Sequence, residues 1–368
     1  MKRKKGLRIF VFALLLALSP LTGAIPSLPG TVQAAPSKLN YQSKNLLVGE
    51  TFTLIPKTGK AASFSSSSPA VATVSKSGKV KGKKAGTARI TVTTTAGKKF
   101  TCKVTVRDEV DIIIFAGQSN MTNVGKASKA PALKDGAGYE VLFTKKKLSP
   151  LREPFGVEQK GKVTKNSGGT LASAFANAYF AQTGVPIVAT NTARGGTSLG
   201  EWSGSYYKKV IDSANKTKKI LKKQGIKVRH CYMVFFQGEN DATYDISTAA
   251  YQQHLMLMLG RIRQKSDIEK CLIIRIGNDL NDPTSFNRIA AAQTTICMDN
   301  RDFVLISTIA SGFDKTYYQG DGIHYTQEGL NKIGKQAGSM AGKYAKTGKE
   351  PSMKDPRYNN TYRSNCNE

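Results

Sequence analysis

A chain of 368 residues with 40% hydrophobic residues is long enough for two or three domains and fills at least one sizeable core, which excludes a disordered or fibrous protein. The net charge of +30 is unevenly spread: residues 1–35 carry 5 basic and no acidic side chains, residues 36–107 carry 14 and 1, and the remainder 36 and 24. Five cysteines, Cys102, Cys231, Cys271, Cys297 and Cys366, are scattered and odd in number, unlike a disulfide framework. Cys231 and Cys271 both open apolar strands that could lie near each other, but buried free thiols are the expected state.

The N-terminus joins a basic head, Met1-Lys2-Arg3-Lys4-Lys5, to an apolar run from about Ile9 to Leu18 and a Val32-Gln33-Ala34-Ala35 step. This pattern predicts a secretory signal peptide over 1–35, cut near Ala34 or Ala35. Its apolar run is about ten residues, short of the roughly 20 that span a bilayer. No later stretch is long enough to span, no cysteine lies at the cleavage site to carry a lipid, and no sorting signal is read at the C-terminus. The mature protein is therefore expected to be exported, either extracellular or held non-covalently at the cell surface, with no transmembrane anchor.

Residues 36–107 read as short alternating strands, "TFTLIP", "SFSSSS", "VATVSKSGKVKGKKAGTARITVTTT" and "KKFTCKVTV", with turns at Ser77-Gly78 and Ala85-Gly86. Period-two alternation and β-branched residues predict a small antiparallel sandwich. Its lysines are not interleaved with aromatics and the chain is exported, so nucleic acid is a poor partner. An acidic cell-wall or glycan polymer fits the charge better, a merely solvated surface being the alternative.

From Asp111 the pattern changes to continuous apolar strands, "IIIFAG", "VPIVAT", "CYMVFFQG", "CLIIRIG" and "FVLISTI", alternating with amphipathic helical stretches such as "YYKKVIDSANKTKKILKKQG" and "TQEGLNKIGKQAGSMAGKYA". Such βαβ units predict an α/β fold over 108–345, a parallel sheet covered by helices on both faces. In such sheets the functional groups gather outside the carboxyl ends of the strands. Residues 346–368 lose the period and read as a loosely attached polar tail.

Four strand ends carry chemistry. The first closes on Gly117-Gln118-Ser119-Asn120, the next on Arg194-Gly195-Gly196-Thr197-Ser198 with Trp202 beyond, the third on Gln237-Gly238-Glu239-Asn240-Asp241, and after the last comes Asp321-Gly322-Ile323-His324. A serine on a tight turn is a candidate nucleophile, but its hydroxyl needs a base. His324 is the natural one among only three histidines, His230, His254 and His324, and Asp321 is placed to bond its far nitrogen and fix its tautomer. Donors for an oxyanion are the Ser119 N–H, the N–H of Gly195 or Gly196, and the amide of Gln237 or Asn240. The metal-ligand spacings are missing, so neither metal nor cofactor is expected.

Taken together, "GQSNM" at 117–121, "RGGTSLGEW" at 194–202, Gln-Gly-Glu-x-Asp at 237–241 and Asp-x-x-His at 321–324 resemble the SGNH-type hydrolases, specifically the sialate O-acetylesterase-like carbohydrate esterases. The segment "SSSSPAVATVSKSGKVKGKKAGTARITV" resembles the bacterial Ig-like domains of group 2, which act as spacers or adhesive units. The resemblance implies a three-layer α/β/α SGNH-like fold behind the Ig-like sandwich and a serine esterase that removes O-acetyl groups from carbohydrates, sialate or xylan and other plant glycans, through an acetyl-serine intermediate. It implies Ser119 as nucleophile, His324 as base and then acid, and Asp321 as its orienting partner. Ser119, Gly195 or Gly196, and either Gln237 or Asn240 would supply the oxyanion hole. Gln118, Glu239 and Arg194 would support the site, with Glu239 pairing with Arg194. Trp202, with Tyr206 and Tyr207, would form a sugar-stacking wall or else pack in the core. Two other readings remain open here: a lipid or aryl esterase of the same superfamily, and a surface adhesion protein with a vestigial hydrolase domain.

Overall fold

The strand that opens the second domain, Glu109–Gly117, is buried along almost its whole length, as Val110 and the run Ile112–Ala116 require of a strand covered on both faces. The computed structural model describes residues 38–156 and 168–367, so the signal-peptide segment lies outside the described residues. Among these residues the two domains form one compact unit.

The N-terminal sandwich comprises β1 (Ser43–Leu47), β2 (Thr51–Thr53), β3 (Ala61–Ser66), β4 (Ala72–Val74), β5 (Lys79–Gly82), β6 (Gly86–Thr94) and β7 (Lys99–Arg107). One sheet has the order β1-β7-β6-β3 and the other β2-β5-β4. The alternation read from sequence is visible in β5, where Lys79 and Lys81 face solvent and Val80 and Gly82 face inward. Leu54, Val80, Ile90, Val92, Cys102 and Val104 fill the core. One pair departs from the antiparallel expectation: β1 runs parallel to β7, because the chain enters the sandwich alongside its last strand rather than hairpinning with it.

A single residue, Asp108, separates β7 from the central strand β8 (Glu109–Gly117). The joint is further pinned from both sides. Asp135 accepts the Asn45 N–H at 2.6 Å and binds Lys44, and the Tyr139 hydroxyl donates to Glu50, the one acidic residue of the sandwich, at 2.8 Å. Leu47 belongs to the core of the second domain.

The second domain adds β9 (Gly138–Leu142), β10 (Lys147–Pro150), β11 (Ile187–Asn191), β12 (Lys227–Phe236), β13 (Lys270–Ile274) and β14 (Phe303–Ser307) in the order β10-β9-β11-β8-β12-β13-β14. All neighbours are parallel except β10, which is antiparallel to β9 at the edge. Helices α1 (Ala172–Thr183) and α7 (Gln327–Thr347) cover one face, packed together. Gly338 makes that approach possible: a Cβ there would stand 2.2 Å from the Phe175 carbonyl oxygen. The other face carries α3 (Tyr207–Lys223), α5 (Thr248–Arg263) and α6 (Asn287–Asp299), with two short helices, α2 (Leu199–Glu201) and α4 (Glu239–Thr243), at the mouth. In α3, Val210, Ser213, Ala214, Thr217, Ile220 and Leu221 turn inward at helical spacing while the lysines face out. The result is three layers with β8 central, β11 on one side and β12 on the other, the switch point at which α/β sheets place their sites.

The C-terminal stretch departs from the loose tail read from its composition. Strands β15 (Met353–Asp355) and β16 (Asn360–Tyr362) form a hairpin, and Asp355 is buried against Arg275 at the end of β13. An ion pair 80 positions apart in sequence leaves no local periodicity to read. All five cysteines are free thiols, and all but Cys366 are buried.

Candidate active site

Strand β8 ends at Gly117, whose φ of +133° and contact geometry both demand glycine: a Cβ would stand 2.0 Å from the Phe236 carbonyl oxygen of β12. The chain then turns sharply into a one-turn 3-10 helix, Ser119–Met121, closed by the Thr122 N–H and hydroxyl, both donating to the Ser119 carbonyl. Ser119 sits half-buried at its start.

The second block comes to it directly. The Arg194 N–H donates to the Gly117 carbonyl at 2.9 Å, and a Cβ on Gly195 would lie 3.7 Å from that of Ser119. Gly196, next along, is exposed and in the left-handed region at φ +70°.

The third block is held from beneath. The Gln118 side chain is buried, and its Oε1 accepts from Gln237 Nε2 at 3.2 Å, the Gly238 N–H at 3.3 Å and the Asn240 N–H at 3.4 Å. Gln237 is fully buried with its amide committed: besides Gln118 it donates to the Thr197 carbonyl at 3.0 Å and to Asp241, while Tyr251 donates to its Oε1. Asp241 also accepts the Leu199 N–H at 2.9 Å, tying the third block to the second. The expected Gln237 donor is thus turned away into the interior. Asn240 is half-buried, and its side chain makes no hydrogen bond to the described residues.

At the fourth block His324 Nδ1 lies 2.6 Å from Asp321 Oδ2, and Asp321 Oδ1 accepts the N–H groups of Ile323 and His324, both at 2.9 Å. Burial pulls the Asp321 carboxyl upward, but the hydrogen bonds from His324 and the two backbone groups outweigh it and hold the carboxyl below its usual range. His230 bonds Glu269 at 2.9 Å near the start of β12, and His254 bonds Ser203, the residue that follows the second block, at 2.8 Å.

One residue that sequence reasoning left without a role links the first block to the fourth. Asn120 is buried; its Nδ2 donates to Glu239 Oε1 at 2.7 Å and to the Ile323 carbonyl at 3.2 Å, and its Oδ1 accepts the Tyr325 N–H at 3.2 Å. It therefore grips the backbone on either side of His324 from the position next to Ser119. The available signal was a second polar residue inside a buried turn. Burial raises the Glu239 carboxyl despite the Asn120 bond, and its Oε2 has no partner among the described residues.

Two expectations are corrected. Glu239 pairs with Asn120 and not with Arg194, which is exposed and lies over the Tyr206 ring at 5.2 Å. Trp202 is fully buried, edge-on to Phe235, with its indole N–H donating to Thr197 Oγ1 at 2.9 Å, so it packs in the core and forms no sugar-stacking wall. Among the described residues no group of three or more His, Cys, Asp or Glu side chains is placed to hold a metal ion.

These four blocks lie within residues 109–345, which match the family model for carbohydrate esterase, sialic acid-specific acetylesterase, a span of well over half the chain. The chain belongs to this family. It is accordingly a carboxylic ester hydrolase, a carbohydrate acetylesterase. Residues 31–104 match the bacterial Ig-like domain, group 2. No curated protein matches the chain. Similar solved structures include a protein from Arabidopsis thaliana, at 19% identity and TM-score 0.50 over 64% of this chain and 98% of that one. The novel carbohydrate acetylesterase XAC1771 from Xanthomonas citri matches at 15% identity and TM-score 0.43, over 84% and 74%. NanS matches at 14% and 0.45, over 64% and 97%.

Proposed function

We propose that this carbohydrate acetylesterase is exported and works through an acetyl-Ser119 intermediate. Ser119 Oγ attacks the acetyl carbonyl carbon while His324 Nε2 takes its proton. The His324–Asp321 contact supports this assignment, since a proton on Nδ1 facing Asp321 leaves Nε2 free to act as base. As the tetrahedral species collapses, the bond to the sugar oxygen breaks and His324 returns the proton to that oxygen. Water then attacks the acetyl-serine, giving its proton to His324, and acetate leaves as Ser119 recovers its hydrogen.

The Ser119 N–H, the Gly195 N–H and the Asn240 side-chain amide would hold the oxyanion. Asn240 is preferred over Gln237 because the amide of Gln237 is already spent on three acceptors. The observation that carries the reading is Asn120, whose side chain bonds both neighbours of His324 from the residue after Ser119.

Substrates in keeping with this site are O-acetylated sialosides, acetyl-xylan or other plant glycans, and acetylated wall glycan. The Ig-like sandwich would engage an acidic wall or glycan polymer through its exposed lysines. Acetate release across those three substrates, with longer-chain esters alongside, tests the assignment. Ser119→Ala should lose about four to six powers of ten in kcat with its fold intact; comparable turnover by that variant would sink it.

A further inference from the structure

The hairpin β15–β16 lies beyond the span matched to the esterase family, yet it bonds the segment that follows β13. Arg275, fully buried, donates to both oxygens of Asp355 and to Thr294 Oγ1 at 3.0 Å. That pair alone would fasten the hairpin. A second guanidinium is nonetheless brought alongside: Arg357, two residues on, donates to the Gly277 carbonyl at 2.6 Å, to Asn278 Oδ1 at 2.9 Å and to Asn287. Burying two cations around one carboxylate is costly, and among the described residues the Arg357 side chain finds its acceptors within 277–287.

The start of that segment supports the loop of Asp321 and His324. The Leu280 N–H donates to the Gly322 carbonyl at 3.1 Å, Asn281 Nδ2 donates to the Asp321 carbonyl at 2.9 Å, and the Gly277 N–H donates to the Tyr325 hydroxyl at 3.1 Å. The backbone before His324 and the residue after it thus rest on residues 277–281, which rest in turn on Arg357. Asp321 itself is half exposed and gains little rigidity from packing.

We propose that the C-terminal hairpin, through Arg357, is a positioning element that holds Asp321 and His324 in register with Ser119; this rests on those two being the acid–base pair. Small misplacements in such a site cost up to about 100-fold in rate. In the full-length protein Arg357→Ala should lower kcat on an acetylated sugar about 10-fold with KM within about twofold. In a Ser119→Ala background it should also shift the His324 imidazole titration followed by NMR. Arg357→Lys should recover part of the loss, and Asn281→Ala should reproduce it, the double variant adding little.

Unchanged kcat and His324 titration alongside a lowered melting temperature would overturn the proposal and leave the hairpin a structural cover. If Arg357→Ala does not fold, Arg357→Lys and Asn281→Ala decide by the same two readouts. Failure of the underlying assignment would look different, since Ser119→Ala with an otherwise unaltered chain would then remain active.

Discussion

The two ends of strand β8 each bury a polar cluster, and they satisfy it in opposite ways. At the base, Asp111 is fully buried and saturated: it accepts from the Tyr179 hydroxyl at 2.6 Å, from Arg229 at 2.6 and 3.0 Å, and from the His230 N–H at 3.1 Å. At the mouth, Glu239 and Asp241 are buried with no Lys or Arg ion pair among the described residues, held by the amides of Asn120 and Gln237 and by the Leu199 N–H. Burial raises both carboxyls there, and one oxygen of Glu239 has no partner among the described residues. A cluster that is neutralised and complete stabilises the fold. One completed by amides, beside the glycine turn at Ser119, is what the proposed chemistry would use, at some cost in stability.

If that contrast is right, substitutions at the mouth should cost rate and those at the base stability. The largest effect is expected from Asp321→Asn, about 10⁴-fold in kcat, with a small change in melting temperature because the side chain is half exposed. Asn240→Ala should follow with about 10²–10³-fold in kcat, measured on the same acetylated sugar; a loss only in KM would remove Asn240 from the oxyanion hole. At the base, Asp111→Ala should destabilise the fold by about 3 kcal/mol in denaturant melts, the low end for a broken buried pair since Arg229 is partly exposed, while kcat per folded molecule stays within about twofold.

The pH profile sharpens the same comparison. Asp321, held below the usual carboxylate range, should add no ionisation of its own near ordinary carboxylate values to the acid limb of kcat/KM. An acid-side ionisation near ordinary carboxylate values would contradict this.

The smallest effect is at Glu350, whose carboxyl burial pushes up to about 7 from 4.5. A raised folded value means its contribution to stability is full below pH 4.5 and is lost as pH rises toward about 7. Glu350→Gln should therefore raise the melting temperature at pH 8 relative to the parent.

What could be read from the sequence was whatever repeats or punctuates. The unbroken apolar runs marked β8, β11, β12, β13 and β14, and the polar residues that close them marked the four blocks. The directions of loop side chains could not be read, because a loop has no period to fix which way a residue points. Gln237 and Asn240 were equal candidates until Gln118, Thr197 and Asp241 were found around the first of them. Trp202 could be read as a sugar platform or as core until its burial and its bond to Thr197 fixed the direction of the ring. Asn120 was in plain view inside "GQSNM", but its partners are 119 and more than 200 residues away.

The single residue between β7 and β8 has a mechanical consequence. Asp108 leaves no slack, and Asp135 and Glu50 brace the joint from both sides. Strand β8 then runs about 30 Å from that joint to Ser119. One continuous strand therefore links the sandwich to the turn at Ser119, so any partner the sandwich held would be joined to that end without a flexible linker between them.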